Sequence, residues 1–481
     1  MNLLVKVISF VIFIGAAAER IGFLADLQPL LSNRSSIYLP DSWQYLDATT
    51  RWDASTHPGL DAVVKVASET DVQRTIEYAN LRNISFLAIG GAHGGSQALN
   101  RAQNAIGIWL RGLEGVSITV DGNEAVVQAG HTTGEVIRSL WSAGKMAVTG
   151  AGDCTGFISP MLGGGHGWLQ GRYGLLADNL ISARLILANG TAMTVDSQTP
   201  DLFWALRGAG HNFGIVTSVH YRVYDRVAGQ DGDFRQDKLD AVFSIANQWI
   251  AARNRPIELS HFTNIVFNPA VDQKPVFNFI VYWQGDTIPA KYTDPFKALN
   301  AVSMIENWLS MANLSVNNAA TEDGPACAKG ASHRTYPLYL IKYDVENMKR
   351  AIGIFAKLPA SFSSSSIMME GLGTNRVREV ADDSTAFPHR NSNILVSPLL
   401  SYAANDALLD AVAFEFGKQL RSAFLNHTEM PLGAYVNYAN GDEGNGATYG
   451  YDSWRLQKLQ RVKRLYDPTG KFSLFEPIEI E

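Results

Sequence analysis

Between Gly150 and Asn179 the chain reads GAGDCTGFISPMLGGGHGWLQGRYGLLADN, with three adjacent glycines (Gly163, Gly164, Gly165) and further glycine-rich segments on either side. No helix or strand of ordinary composition accommodates this, because each glycine costs backbone entropy and offers no side chain to pack. The density points to main chain lying close against something large and flat or highly charged. Bare N–H groups in such a loop can face phosphate oxygens. A long surface loop is the alternative that composition leaves open.

The rest of the 481 residues bounds the setting. A chain of this length exceeds the size at which single cores stop growing, so two or three lobes are expected. The apolar fraction of 46% and charged fraction of 18% describe a foldable protein with a substantial core. A formal net charge of -6, with no clustered Lys and Arg, argues against nucleic acid as a partner.

Met1–Lys6 is a short basic start, Val7–Gly15 an apolar run and Ala16–Ala18 a small-residue zone, the pattern of a secretory signal. The run is short for a bilayer span, and a buried N-terminal strand or helix is the other reading. N-x-[S/T] sequons at Asn33, Asn83, Asn189, Asn313 and Asn426 are compatible with glycosylation on that route. Secretion, with a vesicular destination as a variant, is therefore the expected localisation. The two cysteines, Cys154 and Cys327, allow one bridge at most and rule out a disulfide framework or a cysteine-rich metal site. No metal site is expected. The motifs H-E-x-x-H, Walker A and G-x-S-x-G are absent.

Along the chain, Ala62–Val66 and Ile84–Ile89 read as strands around an amphipathic helix from Thr70, its N-cap, to Ala79. The second strand runs into Gly90-Gly91-Ala92-His93-Gly94-Gly95. Thr133–Ala143 is helical, and Asn189-Gly190 marks a hairpin between Leu180–Leu187 and Ala192–Val195. Near residue 226 the style changes. Gly229–Asp233 reads as a polar link, Lys238–Ala251 as a helix, and Leu259–Val266 and Val276–Trp283 as strands. Helices over 292–309 and 345–358 flank a strand Tyr336–Tyr343. A strand Ile367–Leu372, a loop with Pro388, His389 and Arg390, and a long helix Asp406–Arg421 follow. After Gly433–Tyr438 and a glycine-rich loop, a helix Ser453–Leu465 ends before Pro468. The fold class is α+β.

Four segments together resemble the berberine-bridge-enzyme-like FAD-linked oxidases of the vanillyl-alcohol-oxidase superfamily, with the PCMH-type FAD-binding domain. They are IGGAHGGSQ (89–97), LGGGHGWLQGRYGLLADN (162–179), PDLFWALRGAGHNFGIVTS (200–218), and YVNY (435–438) with KRLYDPTGKF (463–472). In detail the chain looks most like fungal members, many of which act in secondary metabolism. The resemblance implies a two-part FAD-binding domain, 20–225 plus 426–481. A substrate domain of antiparallel sheet flanked by helices, 226–425, is inserted between the parts.

Carried onto this chain, the resemblance implies a flavin bonded covalently to His93, with Gly90, Gly91, Ala92 and Gly94 in the same cofactor loop. Doubly attached relatives also use a cysteine eleven residues before the first glycine of the run, but that count back from Gly163 falls on Gly152; a local gap that brings the Cys154 sulfur to the flavin is the other reading. Single attachment through His93 is therefore expected, with Gly152, Cys154 and Thr155 neighbours of the cofactor. Gly163, Gly164, Gly165, Gly171, Gly174 and Leu175 are implied to give close backbone approach to it. Gly214, Ile215 and Val216 belong to the family's second cofactor stretch, and Asn437 and Tyr438 match an N-Y pair near the flavin. Asp178 and Asn179 are expected to hold the loop through hydrogen bonds to backbone. His166 either faces the phosphates or serves the loop.

The implied activity is oxidation of a small organic molecule (an alcohol, amine or activated carbon) by hydride transfer to flavin N5, with O2 as acceptor. A sugar or oligosaccharide oxidase and a flavin-retaining cyclase are enzymatic alternatives, and a flavin-binding protein without catalysis is the non-enzymatic one. Tyr438 is the first candidate base, although a phenol needs help from a cation or hydrogen bond to act near neutrality. Tyr339 and His389 are further catalytic candidates. Packing is an alternative role for both tyrosines. The protein is expected to be a monomer or homodimer.

Overall fold

A computed structural model describes residues 22–226, 229–236, 239–299, 303–317 and 319–480. The signal-like segment 1–18 lies outside the described residues. Chain order builds three main sheets. In the first, Leu60–Lys65 and Ser85–Ile89 both pair parallel with Ala105–Trp109, and Ser36–Tyr38 closes one edge antiparallel. Parallel neighbours need a crossover, supplied by the helix Glu69–Leu81. That helix starts earlier than its periodicity suggests. Ser68, not Thr70, is the cap, its hydroxyl accepting from the Asp71 amide.

The second sheet is antiparallel, ordered Val116–Ile118, Glu124–Gln128, Ile215–Arg222, Leu180–Ile186, Ala192–Val195. Its last two strands form the hairpin expected at Asn189-Gly190. The helix Thr133–Ser142 packs beside it, opened by a capping box between Thr132 and Glu135. Both sheets share one large apolar core, to which the C-terminal helix Ser453–Tyr466 adds Leu459 and Val462.

The third sheet is larger and antiparallel, running Ser303–Leu309, Gly229–Gln236, Val276–Trp283, Leu259–Val266, Ser366–Gly371, Ile394–Ala403, Ala331–Thr335. Leu338–Leu340 also pairs with Ile394–Ala403. Two expectations fail here. The polar link Gly229–Asp233 is a strand, and the helix over 292–309 survives only as Asp294–Lys297, followed by the strand Ser303–Leu309. These two strands pair with each other from Gly229↔Leu309 to Arg235↔Ser303. Pairing across the chain outweighs local propensity, as it commonly does in sheets. The strand expected over Tyr336–Tyr343 breaks at Pro337, which has no N–H to give a ladder.

One face of this sheet is covered by the helices Leu239–Ala251, Val345–Phe355 and Ala407–Leu425, which bury Phe243, Met348 and Leu420 against Phe277, Phe279 and Met369. Tyr336 and Tyr343 belong to this helix-facing core. The opposite face meets the first two sheets. There Tyr282 packs with their core and Gln284 Nε2 donates to the Trp168 carbonyl at 2.8 Å. Among the described residues no helix is long and apolar enough to cross a membrane.

Candidate active site

Register in the third sheet assembles the site. Phe262 is opposite Glu370, Glu370 opposite Leu395, and Leu395 opposite Tyr339. Directly opposed residues project to one side of a sheet. Their alternates Met369, Val396 and Leu338 enter the helix-covered core, so the row carrying Glu370 and Tyr339 turns the other way.

Facing the row is the C-terminal turn Tyr435–Tyr438. The Tyr438 phenol donates to Glu370 Oε1 at 3.0 Å, and the Thr335 hydroxyl holds the Tyr438 carbonyl at 2.5 Å. Tyr435 Oη accepts from the His166 amide at 3.1 Å and from Asn437 Nδ2 at 2.7 Å, and its own proton has no acceptor among the described residues. His166 is fixed at both ring nitrogens. Gln170 Nε2 donates to the Gly373 carbonyl, so its Oε1 must be the acceptor 2.9 Å from His166 Nδ1. Nδ1 therefore carries the hydrogen, and Nε2 accepts from the Tyr339 phenol at 2.9 Å. The His389 ring packs on Tyr339, centroids 4.4 Å apart. His166, Tyr339, Glu370, Thr374, His389 and Asn393 line a common cavity.

Electrostatics separates the roles. The Glu370 carboxyl keeps some surface along the cavity, yet protein surrounds it deeply enough that burial pushes it up to about 7. Burial and then the Glu370 carboxylate drive the Tyr438 phenol well above its ordinary range. Burial lowers His166 to about 4 and His389 to about 3, so both imidazoles are neutral near pH 7. In the hydrogen-bonded pair Tyr438 is the donor, and Glu370 is the group that changes charge near neutrality.

A second arrangement surrounds His93. The strand Ser85–Ile89 delivers the 90–95 loop, in which Ala92 takes a φ of 57°. The His93 ring stacks on Trp52 with centroids 5.4 Å apart, and Trp52 stacks on His333 at 4.6 Å. His93 Nε2 is buried with no hydrogen-bond partner. Burial, then Lys329 and Arg51, lowers its imidazole to about 3, which keeps the ring neutral. Gly94 packs against Phe475 and gives its carbonyl to Arg51 at 2.6 Å, and Gly90 approaches Ser159. A Cβ on Gly91 would lie 2.6 Å from the Gly156 amide nitrogen and 2.9 Å from the Cys154 carbonyl.

Cys154 is not a free thiol. It is disulfide-bonded to Cys327, so no thiol is available for a second attachment. Its main chain remains next to Gly91. Gly152 and Thr155 lie over the start of the helix Thr133–Ser142, where Thr155 Oγ1 meets Gly152 O and Thr133 Oγ1.

The glycine run also makes close contacts within the protein. A Cβ at Gly163 would meet Asn437 Oδ1 at 2.3 Å, at Gly164 the Phe387 ring at 2.4 Å, and at Gly165 the Leu176 side chain at 2.5 Å. Gly171 crosses the backbone of Gly373, and Gly174 abuts Asp178. Leu175 donates its amide to Asp178 Oδ2 at 2.9 Å, and Asn179 Nδ2 donates to the carbonyls of Tyr173 and Leu175, as expected for loop-holding side chains. His166 takes the site-facing position. Gly214 lies against Ile186 O, and Ile215 and Val216 open a buried strand.

Tyr438, Tyr339 and His389 thus converge, with Asn437 supporting Tyr435. Glu370 was missed. Its signal was a single carboxylate after Ile367-Met368-Met369 in an apolar strand, on the parity opposite the core residues. Arg390, next to His389, pairs bidentately with Asp178 at 2.7 and 3.0 Å and anchors the loop.

Residues 60–196 match the FAD binding domain family and residues 434–479 the berberine and berberine-like family. Over 466 residues the chain is 37% identical to the FAD-linked oxidoreductase chyH of Penicillium rubens, covering 94% of this chain and 93% of that one. The chain belongs to the berberine-like FAD-linked oxidoreductases. A second such relative, chry5 of Gibberella zeae, is 36% identical over 480 residues, with 93% of each chain covered. The fold of this FAD-linked oxidoreductase is similar to that of Physcomitrella patens BBE-like 1, with a TM-score of 0.82 at 21% identity over 95% of this chain and 100% of that one. A chitooligosaccharide oxidase gives 0.80 at 19% identity over 95% and 99%. FAD is the cofactor of this enzyme, and a neutral, partnerless, buried His93 nitrogen beside a glycine loop fits such a group.

Proposed function

We propose that this FAD-linked oxidoreductase is an oxidase of a small organic secondary metabolite, singly attached to its flavin through His93, with O2 as acceptor. The reading rests on residues 20–225 and 426–481 as the cofactor-binding parts and on 226–425 as the substrate domain. When bound, FAD supplies the two-electron acceptor. The chain's own task is to hold the substrate and remove a proton. Glu370 is assigned as the base, with Tyr438 its hydrogen-bonded partner that orients it and shares the proton. Tyr339, its phenol held by neutral His166, and Tyr435, with its proton free, are assigned to hydrogen-bond polar atoms of the substrate. His389 shapes the wall behind Tyr339.

The single observation that carries this is the Tyr438–Glu370 hydrogen bond at 3.0 Å, with the carboxyl pushed up to about 7. A general base works best with a pKa near the operating pH. Attachment through His93 alone draws support from the commitment of the Cys154 sulfur to Cys327.

A secretory destination also belongs to this reading. Both cysteines are bonded to each other, as suits an oxidising compartment. Asn33, Asn83, Asn189 and Asn313 are exposed, whereas Asn426 Nδ2 is buried. Glycans are assigned to the first four only.

The test is acid denaturation followed by spectra and peptide mass. Yellow colour in the pellet, mapping to the His93 peptide alone, is expected, and H2O2 is expected to form when a substrate bleaches the flavin in air. Flavin wholly in the supernatant would overturn covalent attachment. A bleached protein that does not recolour in air would overturn the oxidase assignment.

A further inference from the structure

The Cys154–Cys327 bridge joins residues 173 apart in sequence and closes a circuit around His93. On one side, the Cys154 carbonyl and the Gly156 amide fill the space that a side chain at Gly91 would need, so this turn forms the floor of the His93 loop. On the other, Cys327 lies in the short turn Pro325–Cys327, and the carbonyl of its neighbour Ala326 accepts from Trp52 Nε1 at 2.9 Å. Trp52 in turn stacks on His93 and donates its amide to the Ala92 carbonyl at 3.1 Å. The loop therefore lies between two supports from separate segments of the chain, and the disulfide is the covalent link between them.

We propose that the Cys154–Cys327 disulfide is a positioning clamp for covalent attachment of the flavin, holding the turn beneath Gly91 and the Trp52 ring against His93 so that its imidazole meets the flavin methyl group. This rests on the reading above that His93 carries the flavin. In that step a His93 ring nitrogen bonds to the 8α carbon of the flavin. The N–H and one 8α C–H bond break, and both protons and two electrons are taken up by the ring system and then passed to O2, giving H2O2. Orientation governs such a reaction, because a bound pair aligned at contact distance reacts far faster than a loosely held one. Lys329, two residues beyond Cys327, is brought close by the same link and helps keep the imidazole unprotonated. Neither cysteine needs to touch the reacting atoms.

The experiment compares the full-length wild type with C154S/C327S and with W52L, in which the disulfide is intact. Total FAD per chain is read after proteolysis, and the covalent share from the acid pellet and intact mass. The wild type is expected to hold its flavin covalently. Both variants should keep total FAD while the covalent share falls roughly fivefold or more. An unchanged covalent share in either variant overturns the clamp, as does loss of total FAD in parallel with it, which is the mark of a general structural role. If C154S/C327S does not fold, W52L decides by the same criteria. Flavin released by the wild type itself overturns the His93 reading and the clamp with it, whereas an unchanged share in the variants overturns the clamp alone.

Discussion

Tyr438 donates its phenolic proton to Glu370 Oε1 across 3.0 Å, linking the C-terminal turn to the strand Ser366–Gly371 of the inserted sheet. Neither residue alone forms a proton-handling site. The carboxyl is pushed up to about 7 by burial, and the phenol is driven well above its usual range. The site therefore exists only where two distant parts of the chain meet.

A base must be ionised to accept a proton. With Glu370 titrating at about 7, the rate of flavin reduction should rise with pH through that value and level off above it. Glu370→Gln should lower the rate roughly 100- to 10,000-fold and remove that limb. Anaerobic stopped-flow bleaching with any substrate of the wild type checks both.

The same carboxyl links stability to pH. Its folded value is raised from 4.5 to about 7, so its stabilising contribution is complete below about 4.5 and lost as pH rises through about 7. Glu370→Gln removes this dependence. The variant should be more stable than wild type at pH 8, by on the order of 1–3 kcal/mol, with a smaller gain at pH 5. Thermal unfolding at the two pH values reads the difference, and equal shifts at both would count against it.

Arg390 and Asp178 form an ion pair with side chains 2% and 5% exposed. Arg390→Met leaves a buried carboxylate unpaired and should cost about 3–5 kcal/mol. The loop carrying His389 and the Leu175–Asp178 turn lose their common anchor, so weaker substrate binding should accompany the lower melting temperature.

Gly164 and Gly144 both adopt positive φ, 99° and 76°, but their surroundings differ. A Cβ at Gly164 would lie 2.4 Å from the Phe387 ring, while at Gly144 it meets nothing within 4 Å. Gly164→Ala should destabilise by roughly 2–5 kcal/mol and disturb the wall near His389. Gly144→Ala should cost only about 1 kcal/mol. Denaturant midpoints of the two variants give the comparison.

Opening the Cys154–Cys327 loop removes a long-range restraint on the unfolded chain. C154S/C327S should lose about 2–5 kcal/mol, measurable as a lower denaturant midpoint with a steeper slope, because the unlinked denatured chain exposes more surface.

The sequence by itself determined the features whose cause is local or motif-bound: the strand feeding the His93 loop, the helix Thr133–Ser142, the hairpin at Asn189-Gly190, and the ordered motifs that mark an FAD-linked oxidoreductase. Periodicity, caps and turn chemistry act over a few residues, so one chain segment carries the whole signal. Only the tertiary structure decided the rest. The strands Gly229–Gln236 and Ser303–Leu309 exist because they pair with one another. Glu370 faces the site because register sets it beside Leu395, which is itself opposite Tyr339, and the Cys154 sulfur is bonded to a partner 173 residues away. Even the glycine run, legible at once as a place of close approach, did not name its neighbours. Phe387 and Asn437 occupy those spaces, and contacts between segments so far apart are fixed by packing.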